Sequence, residues 1–101
     1  IRDYGIRGII GKGGMGDRTL EVMREHGCVY FQTVGGAAAY LADRIKEVAG
    51  VWKYEEFGAA EAMWQLIVED FPVIVTMDAH GNSLHKDIEK KSLKKLVEAL
   101  L

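Results

Sequence analysis

Cysteine and proline are almost missing from this chain. Cys28 is the only cysteine and Pro72 the only proline among 101 residues. No disulfide can close within the chain, and no zinc or iron–sulfur site can be built from its own cysteines. A cluster of that kind would have to be held elsewhere. An excess of one charge is also lacking, because 13 Lys and Arg face 15 Asp and Glu for a formal charge of -2. No broad cationic surface is left for nucleic-acid phosphates or an anionic membrane, so neither is an expected partner. No apolar run approaches the roughly 20 residues that cross a bilayer. The opening IRDYGIRG lacks the layout of a signal peptide, and no repeat or low-complexity linker appears. These absences predict a soluble, cytoplasmic protein. What is there, 49% hydrophobic and 28% charged residues, suits a single globular domain over residues 1–101. The chain opens at Ile1 rather than at methionine, as expected of part of a longer polypeptide.

The predicted order is β, α, β, α, three strands with turns, then α. Residues 6–10 are a short apolar run feeding a glycine cluster, which predicts a strand and a turn. Asp17 then stands as an N-cap for a helix over residues 18–26, with Leu20 and Met23 or Val22 on its buried side and Gly27 as its stop. CVYFQTV, residues 28–34, is rich in β-formers; Gly35 and Gly36 turn the chain into a helical stretch over 37–45. Residues 46–54 and 62–71 predict strands. PVIVTMD, residues 72–78, is a continuous apolar run of the kind buried on both faces of a sheet. After turn residues at 80–83, residues 86–101 carry Ile88, Leu93, Leu96, Val97 and Leu100 at helical spacing.

The stretch GIIGKGGMGD, residues 8–17, sets one lysine among five glycines. Such glycines let backbone approach a ligand closely and adopt positive φ, and the helix start that follows offers unpaired N–H groups to an anion. Lys12 adds a full charge, which favours a carboxylate or a phosphate. A P-loop is excluded, because Gly13 and Gly14 follow the lysine where Ser or Thr would have to stand; the glycine offsets also break the dinucleotide fingerprint. A glycine-rich turn with a solvated lysine fits the pattern equally well, and spacing alone leaves both readings open.

GIIGKGGMGD, then VGGAAAYLA at 34–42, then EEFGAAEAMWQLIVEDFPVIVTMDAHGNSL at 55–84 resemble, in order, the C-terminal domain of class I fumarate hydratases and L(+)-tartrate dehydratases, a separate β subunit in many archaea and bacteria. The resemblance implies an α/β fold of the swivelling β/β/α type, with a mixed central sheet and helices packed on it. It implies a hydro-lyase that adds water to fumarate to give malate, or removes water from tartrate. It further implies a 4Fe-4S cluster held by a partner α subunit or domain, none bound by this chain, and a hetero-oligomer of the α2β2 kind. Lys12 stands at the position of the family's GKG lysine, which contacts a substrate carboxylate, flanked by Gly11 and Gly13. A substrate with two carboxylates needs cationic partners to orient it. The family's G-P-T-T motif and the arginine after it, which supply the proposed catalytic base and a substrate ligand, have no counterpart here; Arg2 and Asp3 match the segment just beyond. The resemblance therefore assigns no catalytic residue to this chain, implies that its N-terminal part is missing, and implies an inactive isolated chain.

The remaining candidates read as structural. Gly11, Gly13 and Gly14 shape a tight turn under either reading of Lys12. Cys28 reads as a small buried hydrophobe, and His26, His80 and His85 as solvated, without metal-site spacing. Glu55, Glu56, Glu61, Glu69 and Asp70 read as surface charge, Trp64 and Phe71 as core or interface anchors, and Gly35 and Gly36 as sites of close helix–sheet packing. The lysine-rich KDIEKKSLKK reads as the solvated face of the last helix. Besides the fumarate reading, the alternatives are an L(+)-tartrate dehydratase β subunit, a non-catalytic anion-binding module and a purely structural interaction domain.

Overall fold

A computed structural model describes residues 1–101. The chain divides into two compact units, Ile1–Val34 with Val73–Leu101, and Gly35–Pro72. Mixed α/β architecture, as expected, is found in the elements of both.

In the first unit, β1 (Gly8–Gly11), α1 (Asp17–His26) and β2 (Val29–Gln32) follow in sequence, then β5 (Ile74–Met77) and α4 (Leu84–Leu100). The sheet order is β1-β2-β5. β1 and β2 run parallel, with Gly8 opposite Val29 and Gly11 opposite Gln32; parallel neighbours need a crossover, which α1 supplies. β5 runs antiparallel to β2, so the sheet is mixed. α1 buries Leu20 and Met23, one turn apart on a single face. Its exit is fixed by Gly27 at φ 68°, a left-handed stop that glycine adopts without Cβ strain. Leu20, Met23, Cys28, Tyr30 and Met77 form the buried core, with Ile1 and Ile9 against it. Cys28 is thus the buried hydrophobe its setting suggested.

The second unit holds α2 (Ala38–Asp43), β3 (Ile45–Trp52), α3 (Tyr54–Glu61) and β4 (Met63–Val68). β3 and β4 form an antiparallel ribbon, Val51 opposite Trp64 and Trp52 opposite Met63. The Trp64 indole N–H donates to the Ala59 carbonyl at 2.9 Å, and its ring meets Tyr54 edge to face at 5.9 Å. That contact ties α3 to β4, a favoured aromatic geometry. Trp64 is nevertheless 43% exposed, so it is no core residue of this unit.

The structure departs from the sequence reading at several places. α3 was not expected, because Gly58 at φ 75° breaks it midway and leaves each half too short to display a helical period. β5 is not buried on both faces: Thr76 and Met77 are buried, whereas Ile74 and Val75 are half exposed. It is an edge strand, paired with β2 alone. Asp17 is the first residue of α1 rather than its cap; Gly16 caps, without a side-chain hydrogen bond. α4 is amphipathic as expected and is capped by the Ser83 hydroxyl, which accepts from the Lys86 N–H, yet none of its residues is buried. No helix is long and apolar enough to cross a membrane.

The core is small, so single truncations in it weigh heavily. Met23→Ala, at a site with no exposure, is expected to cost about 2–5 kcal/mol, seen as a lower urea midpoint. Leu93→Ala on the open face of α4, 61% exposed, should change stability by no more than about 0.5 kcal/mol.

Candidate functional site

The lysine loop leaves the sheet at Gly11, the last residue of β1. The Gly11 carbonyl accepts from the Thr33 N–H at 2.8 Å and from the Thr33 hydroxyl at 3.2 Å, which pins the loop's start. A Cβ on Gly11 would lie 2.8 Å from the Tyr30 hydroxyl oxygen, and Tyr30 is buried. Glycine is required there by close approach. Gly13 sits at φ 78°, in the left-handed region where other residues are strained. Between them Lys12 is exposed and belongs to none of the ion pairs. The loop ends at Gly16, and the first N–H groups of α1 point out of the helix without intrahelical partners. That end carries the positive pole of the helix dipole, which favours an anion.

Two residues at the start of α4 meet this loop. A Cβ on Gly14 would lie 2.9 Å from Cδ2 of His85 and 3.0 Å from its Cγ, so the imidazole rests on glycine backbone. Its Nε2 is shielded from water and has no hydrogen-bond partner. The Lys86 ammonium pairs with the Asp17 carboxylate. Asp17 would otherwise set a free negative charge at the helix end best suited to an anion.

The DAHGNS turn brings α4 to that position. One Asp78 carboxylate oxygen accepts from the N–H groups of His80 and Asn82, both at 2.9 Å, and the other accepts from the Asn82 side-chain amide at 2.9 Å. The Asp78 N–H donates back to the Asn82 carbonyl at 3.0 Å, and Met77 bridges Ser83. Gly81 at φ 86° closes the turn against the Arg24 side chain of α1. An aspartate side chain that binds its own following backbone is a recurrent turn builder.

The residues singled out from sequence have separate fates. Gly11, Lys12, Gly13 and Gly14 lie on one loop at the C-terminal end of β1. His85 is not a solvated histidine: half-buried, it is packed on Gly14, which local spacing could not show because the two meet only through the fold. His80 is exposed, while the His26 carbonyl accepts from the Arg7 guanidinium. Glu55, Glu56, Glu61, Glu69 and Asp70 are all exposed. Gly35 and Gly36 are not points of close packing, since a Cβ on either would meet nothing within 4 Å; Gly36 is a turn residue at φ 80°.

Hydrogen bonds from the Asn82 side chain, then from the Asn82 and His80 backbone, hold the Asp78 carboxyl below its ordinary pKa of 3.8. A carboxyl depressed on folding contributes stability above its unfolded pKa and loses it as pH falls through the lower folded value. Asp78→Asn should therefore destabilise the protein at neutral pH. The difference from wild type should shrink below about pH 4, as followed by thermal melting across an acid series.

Residues 1–88 match the family described as "Fumarase C-terminus". The chain is 58% identical over 96 residues to a Geobacillus stearothermophilus protein named "Putative fumarate hydratase class I", covering 95% of this chain and 18% of that protein. It is 44% identical over 101 residues to the "Putative L(+)-tartrate dehydratase subunit beta" of Methanocaldococcus jannaschii, covering 99% and 52%. Against the "L(+)-tartrate dehydratase subunit beta" of Escherichia coli K12 it is 34% identical over 91 residues, covering 89% and 45%. The chain thus spans about half the length, or less, of these relatives. With the glycine and lysine loop, the DAHGNS turn and the mixed sheet all lying within the matched residues, the chain belongs to the fumarase C-terminus family.

Proposed function

We propose that this chain supplies a substrate-carboxylate ligand, Lys12, to a hydro-lyase that reversibly hydrates fumarate to malate, at a site completed by an α partner. The observation that supports it most is the exposed, unpaired Lys12 on a loop of glycines that ends at a helix N-terminus. An ammonium and free backbone N–H groups together suit a carboxylate, since charge-assisted hydrogen bonds are among the stronger contacts available. Binding one end of fumarate fixes the orientation of the double bond between its two carboxylates. Hydration then adds hydroxide to one alkene carbon and a proton to the other, and an ordered substrate contributes much of the barrier lowering.

Neither the base nor a metal ligand is assigned to this chain. Its donor set does not fit a 4Fe-4S cluster, which needs several thiolates, because the one cysteine is wholly buried in the core. The cluster belongs to the α partner in this reading. The names of the tartrate dehydratase relatives, each a "subunit beta", support such a partner. So does the apolar surface of the second unit, where Trp52, Phe57 and Met63 are each 58% exposed or more; exposed patches of this kind mark interaction surfaces.

L(+)-tartrate as substrate is the second reading, favoured by those same subunit names. Lys12 would hold a carboxylate in either case. The test is turnover by the oxygen-protected complex of the full-length protein with its α partner, wild type against Lys12→Met. Loss of one charge-assisted contact should lower kcat/KM about 10- to 100-fold, with the cluster's absorbance retained. Wild-type activity on tartrate but not fumarate would change the substrate and keep the role of Lys12. An unchanged kcat/KM in Lys12→Met would remove the lysine from the site.

A further inference from the structure

His85 is the one histidine whose ring is built into the lysine loop, and nothing in the reaction as proposed uses it. Its Cδ2 and Cγ would stand 2.9 and 3.0 Å from a Cβ on Gly14, and its Nε2 3.2 Å, so this edge of the ring faces the loop backbone. Nε2 is out of contact with water and without a hydrogen-bond partner. Buried nitrogens are almost always paired, and an unpaired one calls for an explanation. The Gly14 backbone lies beside it, and Gly13 and Gly14 can change their φ and ψ at little steric cost. Lys86, the next residue, anchors the far end of the same loop through Asp17. Consecutive residues of α4 therefore grip the loop at two points, on either side of Met15 and Gly16.

We propose that His85 is a positioning residue of the carboxylate site. The Cγ–Cδ2–Nε2 side of its ring seats Gly14, and its Nε2–H is taken up by a loop carbonyl when a bound carboxylate draws the loop's N–H groups towards itself. The inference rests on the carboxylate-binding reading of the Lys12 loop and adds the group that holds that loop in its binding form. The ring contact and the N–H have separable consequences. Removing an unpaired buried polar group while keeping shape is neutral or stabilising for the ligand-free protein. Removing the same N–H from the bound form weakens binding.

The experiment compares His85→Phe and His85→Gln with wild type in the assembled complex, measuring KM, kcat and thermal midpoint, with Lys12→Met alongside. His85→Phe keeps a ring against Gly14 and should melt no lower than wild type. Its KM for the dicarboxylate should rise about tenfold with kcat within about twofold, the scale of one net hydrogen bond. His85→Gln, which restores an N–H donor, should recover part of the KM. A second readout needs no turnover: on adding succinate, a saturated four-carbon dicarboxylate, the Nε2–H proton of His85 should become slow to exchange in wild type. Wild-type KM in His85→Phe, or an Nε2–H exchange rate unmoved by saturating succinate, would overturn the proposal. If Lys12→Met leaves KM unchanged while His85→Phe raises it, the lysine reading fails and the role of His85 stands.

Discussion

At Gly11 and Gly14 the protein has no room for a side chain, and the arrangement of the lysine loop depends on that exclusion. Tyr30 occupies the space at the first position and His85 the space at the second. One is a residue of the central strand, the other of the last helix, so the loop is held from the sheet below and from α4 beside it. The Thr33 bonds to the Gly11 carbonyl add a polar tether at the point where the strand ends. A lysine placed on such a loop can be exposed and still have a fixed base.

The same economy governs the first unit as a whole. Five buried side chains, centred on Met23, Cys28 and Met77, join α1 to the sheet. The turn that delivers α4 depends on Asp78, whose carboxylate collects three donors from His80 and Asn82. Burying apolar surface fixes where α1 lies, while a hydrogen-bonded turn fixes where α4 starts. Both are needed before Asp17 can meet Lys86.

The second unit has a different character. A two-stranded ribbon is marginal by itself in water, and Gly35–Pro72 contains no buried side chain. Its aromatic contacts, Trp64 on Tyr54 and Arg44 over Tyr40 at 4.7 Å, are local. The apolar side chains of this unit stand open, with Trp52, Phe57 and Met63 each 58% exposed or more.

Much of this was legible in the residues alone. β-Branched and aromatic runs marked β2, β3, β4 and β5, Gly27 marked the end of α1, and the spacing of Leu20 and Met23 marked its buried face, because these signals act over a few neighbouring residues. Gly58 concealed α3 by breaking its period, and the apolar PVIVTMD run misled because a strand's place in a sheet is not written in its own composition. The glycine and lysine stretch, read with its neighbouring motifs, was enough to indicate the family. What only the tertiary structure decided was the company Lys12 keeps: Tyr30 beneath Gly11, His85 on Gly14, and Lys86 on Asp17. Those contacts join residues far apart in the chain, and they exist only once the Asp78 turn and the buried core have set α4 beside the loop.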